Sequence, residues 1–174
     1  MIKSEAAALV APIVAQSRTV TASRLALYVS HGTLDTAYSP LVLATAAAAM
    51  EMEVMIFFTF YGLEIIKKGR AGHLQVAPIA NPAMPVPVPN IVGMLPGMTH
   101  MATAMMNNRM KKANLTRLND LLELAVKLGV RMIACQMSMN VMGLKKEDLI
   151  DGLEFGGATT FLEFAAANAI SLTF

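Results

Sequence analysis

Apolar residues in this chain fall into short, dense runs, and turn chemistry bounds each of them. Arg24 to Ser30 (RLALYVS) is a β-prone run closed by His31-Gly32, after which Thr33 or Asp35 can cap a helix. That helix is predicted to continue through the alanine-rich stretch to about Met52. Glu53 to Thr59 (EVMIFFT) then reads as a strand buried on both faces, ended by Tyr61-Gly62. Leu63 to Lys68 is predicted to be a short helix stopped by Gly69, with Lys67 and Lys68 at the negative end of its dipole.

The second half repeats the alternation. Met98, Met101, Ala102 and Met105 recur at helical spacing, which predicts a helix from Met98 to Lys112 with basic residues at its end. A further helix is predicted from about Arg117 to Leu128, because Leu118, Leu121, Leu122 and Ala125 form one apolar face and Gly129 supplies the stop. Val130 to Ala134 (VRMIA) is a third strand candidate, leading into Cys135 and a helix over Gln136 to Met142. The remainder predicts a short helix around Lys145 to Ile150, a turn at Asp151-Gly152 and a brief strand. Gly156-Gly157, a helix to Ile170 and a terminal strand from Ser171 to Phe174 follow.

Strands alternating with helices predict an α/β fold, a Rossmann-like or flavodoxin-like three-layer sandwich with a mostly parallel sheet. The expected organisation is an N-terminal leader over 1–23 and one domain over 24–174. Six of the chain's eight prolines lie between Pro78 and Pro96. Regular helix and central strand are therefore excluded there, and 78–97 reads as an insertion, either a lid or partner-binding segment or a plain solvent-exposed connector.

Composition changes this picture in three ways. At 55 % hydrophobic and 15 % charged, the chain is more apolar than an ordinary soluble domain, so part of that excess is expected on a surface that meets something. Homo-oligomer formation is the simplest expectation. A net charge of +2, with scattered Lys and Arg, is not the footprint of a nucleic-acid protein. A membrane span needs ~20 consecutive apolar residues, and the run Leu41 to Met50 is cut from Val54 to Leu63 by Glu51 and Glu53. The stretch Ala6 to Ala15 follows Lys3 but also Glu5, which suits a leader better than a secretory signal and leaves a cytoplasmic location as the expectation.

One cysteine excludes an intrachain disulfide and a four-thiolate zinc site. His31, His73 and His100 match no metal-ligand spacing, so no metal and no cofactor is expected. In an open parallel sheet, ligands bind outside the carboxyl ends of the strands. Here those ends are Ser30-His31-Gly32, Thr59-Phe60-Tyr61-Gly62 and Cys135-Gln136-Met137. Cys135 is thus the candidate catalytic residue, with Ser30, His31, Gly32, Thr59, Tyr61, Gly62, Gln136 and Met137 as candidate pocket lining. A thiol where a strand turns into a helix gains thiolate character and can accept sulfane sulfur. It can equally be a small apolar residue closing a strand. Likewise His31 is either a partner for the sulfur or a solvated loop histidine, and Gly156-Gly157 either cradles an anion, as in a nucleotide or flavin module, or makes a tight turn.

Fifteen methionines are unusual, with the densest group at Met94, Met98, Met101, Met105, Met106 and Met110. Flexible thioethers suit an adaptable face. Met106 and Met110 lie off the first helical stripe, which predicts a contact with another subunit, a partner or, given Lys111 and Lys112, a membrane surface.

Three separated segments carry a family resemblance: VMIFFTFYGLEIIKKG from Val54, LPGMTHMATAMMNNRMKK from Leu95, and ACQMSMNVMGLKKEDLIDGLEFGGATTFL from Ala134. Together they resemble the DsrE/DsrF-like sulfur-trafficking proteins once labelled peroxiredoxin-like. The resemblance spans about Arg24 to Phe174 and implies a Rossmann-like fold, oligomer formation and sulfur relay, as a carrier or a sulfurtransferase, through a cysteine aligned with Cys135. Its implied partners are TusA-type carriers or rhodaneses. The alternative is a non-catalytic binding or assembly subunit in which Cys135 only packs.

Overall fold

The computed structural model describes residues 23–77 and 97–174. The expected leader and proline-rich insertion lie outside the described residues, apart from the last residue of each.

Five strands form one parallel sheet: β1 (Arg24–Val29), β2 (Glu53–Phe58), β3 (Arg131–Cys135), β4 (Glu154–Gly156) and β5 (Ala169–Thr173), in the order β4-β3-β2-β1-β5. The helices are α1 (Leu34–Ala49), α2 (Met98–Lys112), α3 (Leu118–Lys127), α4 (Gln136–Met142) and α5 (Ala158–Ala166). The α/β sandwich read from the alternation is the fold observed.

Handedness explains where the helices go. A crossover between parallel strands is right-handed almost without exception, so the direction in which the chain steps across the sheet selects the face that carries the connection. The steps β1 to β2, β2 to β3 and β3 to β4 all run the same way. Only β4 to β5 reverses, crossing the whole sheet to pair β5 with β1. Accordingly α1, α3 and α4 contribute to one core and, among the described residues, α5 alone contributes a helix to the other.

Strand periodicity sorts the side chains between these two cores. Leu25, Leu27, Val29, Val54, Ile56, Phe58, Met132 and Ala134 face the broad core beneath α1 and α3. Ala26, Met55, Phe57, Ile133 and Cys135 face the thin one, against Phe164 of α5. Each fully buried Leu or Ile contributes roughly 1.5–3 kcal/mol, and most of them lie on the broad side.

Several boundaries differ from the sequence reading. The expected helix over Leu63–Lys68 is a 3₁₀ segment, Phe60–Ile66, whose Leu63, Ile65 and Ile66 are buried. The helix expected around Lys145 is a single 3₁₀ turn, Lys146–Asp148. β5 begins at Ala169 rather than Ser171, because Asn168 adopts a left-handed conformation (φ 60°) and ends the helix early. Met106 and Met110, expected to face a partner, are half-buried against the broad core, whereas Met101 is exposed.

Candidate functional site

The first two strand ends are locked together by close backbone approach. A Cβ on Gly32 would lie 2.1 Å from the Tyr61 carbonyl oxygen, and one on Gly62 would lie 2.2 Å from that of Val29. Only glycine permits these crossings. Gly62 N–H donates to the carbonyls of both Ser30 and Thr59, at 3.2 and 2.9 Å. The Ser30 hydroxyl donates to the Phe174 carbonyl at 3.1 Å, so its contact with His31 Nδ1, also 3.1 Å, needs the imidazole proton on that nitrogen. His31 is exposed and follows β1, two strands away from β3. The ring, read from the sequence either as a partner for the sulfur or as a solvated loop histidine, contacts Ser30.

Cys135 lies at a more informative place. After β3 the chain turns to α4 and the broad core, and after β4 it turns to α5 and the thin one. Neighbouring strands whose outgoing connections part to opposite faces leave a crevice between their carboxyl ends. That point falls between β3 and β4, where Cys135 is the register partner of Gly156. A side chain at Gly156 would meet Thr160 Oγ1 at 2.9 Å and Ile133 Cγ2 at 3.2 Å, so the missing side chain lets the first turn of α5 come close to the sheet.

On its other flank β3 pairs with β2, with Phe58 opposite Ala134. Thr59 remains extended (φ −136°, ψ 153°), so the next step of that register sets it beside Cys135 on the thin face. Thr59 Oγ1 lies 2.8 Å from Ser138 Oγ in the first turn of α4. Both residues are buried, at 2 % and 0 % exposure. Below the sulfur, Tyr28, Phe57 and Phe161 form a triangle of rings with centroids 5.6–5.9 Å apart.

Cys135 itself is 4 % exposed. β4 and α5 close over the strand end, so the sulfur that either accepts sulfane sulfur or closes the strand in the sequence reading is covered here. Of the expected pocket lining, Thr59 is buried against α4, whereas Gln136, Met137 and Tyr61 are exposed around the rim, the last two at 59 % and 70 %. Ser138 and Thr160 are not singled out by the sequence reading. Spacing offers one clue to Ser138, which is the third residue of α4 after Cys135 at its N-cap, a pair of positions that lie close together at a helix start. Among the described residues no three His, Cys, Asp or Glu side chains converge as metal donors, and no helix is long and apolar enough to cross a membrane.

Residues 21–173 match the DsrE/DsrF/DrsH-like family. The chain belongs to this family. Among DsrE-like relatives, it is 43 % identical over 155 residues to the sulfur carrier protein DsrE2 of Allochromatium vinosum, covering 86 % of this chain and 96 % of that protein. It is 30 % identical over 159 residues to YrkE of Bacillus subtilis, covering 86 % and 95 % respectively. Two solved structures share the DsrE-like fold at TM-score 0.51: MTH1491 of Methanobacterium thermoautotrophicum, 9 % identical, and ychN of E. coli, 16 % identical. Each match covers 87 % of this chain, with 98 % and 99 % of the two structures.

Proposed function

We propose that this DsrE-like protein is a sulfur carrier that holds sulfane sulfur as a persulfide on Cys135. The observation that carries the reading is the position of the chain's single thiol at the β3/β4 switch point, in a chain closely related to a named sulfur carrier protein. In the loading step the Cys135 thiolate attacks the outer sulfur of a donor such as thiosulfate. The new S–S bond forms from the thiolate's electron pair, and the old S–S bond breaks with its pair leaving on sulfite. The product is Cys135–S–S⁻. Attack by an acceptor thiolate on the outer sulfur returns Cys135 as a thiolate. No external oxidant or reductant enters either step.

With one cysteine in the chain, the acceptor thiol belongs to another molecule. A TusA-type carrier or a rhodanese, a homo-oligomeric assembly and a cytoplasmic location all suit this chemistry. Burial means that the edge formed by β4 and α5 must open for transfer, and α5 is the only helix on that face among the described residues.

That same burial supports a second reading, a non-catalytic assembly subunit in which Cys135 is only packing. Intact-mass spectrometry after incubation with thiosulfate or polysulfide separates the two. The carrier gains the mass of whole sulfur atoms, reversibly with reductant, and Cys135→Ser gains none. A wild-type protein that stays unmodified with several donors, while Cys135→Ser loses stability, establishes the packing role and overturns the carrier.

A further inference from the structure

The hydroxyl pair beside the thiol has one more proton than its geometry uses. Thr59 Oγ1 and Ser138 Oγ are 79 positions apart in the chain, lie 2.8 Å from each other and are shut off from solvent. Two hydroxyls carry two protons, and the bond between them employs one. Among the described residues, neither oxygen donates to a backbone carbonyl or to any other side chain, in contrast to Thr45 and Thr103, each of which donates to the carbonyl four residues earlier. A buried donor without an acceptor is rare in a native fold.

The neighbour of this spare proton is Cys135. The β2–β3 register places Thr59 beside it, and Ser138 returns to its side from the first turn of α4. Cys135 Sγ makes no hydrogen bond within the described residues. A persulfide extends that side chain by one S–S bond, about 2.05 Å, and transfers the negative charge to the outer atom.

We infer that the Thr59–Ser138 pair positions and stabilises the outer, anionic sulfur of the Cys135 persulfide by donating its unused hydroxyl proton to it. This rests on the carrier reading and deepens it. The pair is then a fixed donor aimed at the position where charge appears on loading, which favours the anionic form of the persulfide over the protonated one. It also explains why two hydroxyls occupy a site where two apolar side chains would pack without a stranded donor.

The test uses the full chain loaded with thiosulfate. The rate at which iodoacetamide alkylates the loaded persulfide is followed against pH by intact mass, in wild type, Thr59→Ser, Ser138→Ala and the double variant Thr59→Val/Ser138→Ala. Circular dichroism checks that each variant is folded. Thr59→Ser keeps the hydroxyl and retains the wild-type midpoint. Either hydroxyl alone can still donate, so Ser138→Ala also stays near the wild-type midpoint, whereas the double variant, with no hydroxyl left, raises it by about one pH unit, equivalent to a roughly tenfold loss of anion below the midpoint.

Equal midpoints in all four proteins overturn the inference. So does a Thr59→Ser midpoint displaced as far as that of the double variant, because that pattern belongs to a packing methyl group. If the double variant does not fold, Thr59→Ala/Ser138→Ala, which also lacks both hydroxyls, takes its place. Failure of the wild type to load at all overturns the carrier reading, whereas normal loading with unmoved midpoints overturns only the role of the hydroxyl pair.

Discussion

The two faces of the sheet are built from the same strands and differ in almost everything else. On the broad face, aliphatic side chains from β1, β2 and β3 interlock with α1 and α3, and residues such as Leu27, Ile56 and Leu41 are wholly buried. On the thin face a smaller group, Ala26, Met55, Phe57, Ile133 and Cys135, meets one helix, and a ring triangle takes the place of an aliphatic layer. The difference follows from one reversal of direction between β4 and β5. It separates the part of the molecule that maintains the fold from the part where a thiol lies beneath a single cover.

The sharpest way to break this comparison is to weaken each face in turn. Ile56→Ala, on the broad face, is expected to cost about 2–5 kcal/mol in denaturant unfolding, as for other large-to-small core changes. It should leave the rate of Cys135 alkylation in the folded state nearly unchanged. A large rise in that rate would show that the sulfur is reached through global unfolding and not through the thin face.

Gly156→Ala acts on the cover itself. Its methyl group would sit 2.9 Å from Thr160 Oγ1 and 3.2 Å from Ile133 Cγ2, so the start of α5 must move outward. Threonine is stiff at χ1 and yields little. The expected cost is about 1–3 kcal/mol, smaller than that of Ile56→Ala, together with a faster reaction of Cys135 with alkylating reagents. A stability loss with no change in thiol reactivity would mean that this end of α5 does not control access.

The smallest effect is expected at the strand edge. Arg131 makes two hydrogen bonds to Glu154, at 2.9 and 2.7 Å, which hold the Glu154 carboxyl below the usual carboxylate range and raise the guanidinium. Because the folded pKa of Glu154 is depressed, the pair's contribution is present above the unfolded value, ~4.3, and is lost as pH falls through the lower folded value. Both side chains are partly exposed, so the contribution at neutral pH is about 0–1 kcal/mol. Glu154→Gln should therefore flatten the acid limb of the stability curve and change little at neutral pH. An unaltered acid limb would remove the pair from the account of how β4 is held to β3.

Much of the fold was legible because β1, β2 and β3 are short apolar runs between turn signals, and the face of α3 is set by Leu118, Leu121, Leu122 and Ala125. Strand order was not legible, since periodicity tells which residues are buried but not which strand lies beside which. The switch point at Cys135 and Gly156 depends on that order, so the sequence reading could name the cysteine without showing why β4 flanks it. The Thr59–Ser138 contact was hidden for the same reason. The covering of Cys135 was not legible for that reason too: the brief strand and the helix after Gly156-Gly157 are read from the sequence, but not that they lie against the end of β3. The early end of α5 at Asn168 follows a left-handed preference that the apolar run through Ile170 masked.

The late position of α5 and β5 in the chain has a consequence during synthesis. β1 pairs on one side with β2, its nearest strand in sequence, and on the other with β5, its most distant. On a ribosome, β1, β2 and β3 with α1 and α3 can therefore assemble while α5 and β5 are still in the exit tunnel. For that interval, among the described residues, no helix lies over the thin face, and α5 does not yet shield Cys135 from small oxidants and sulfur donors. The nascent chain passes through a stage in which the thiol lacks the cover that α5 gives it in the folded protein, and the emergence of α5 ends it.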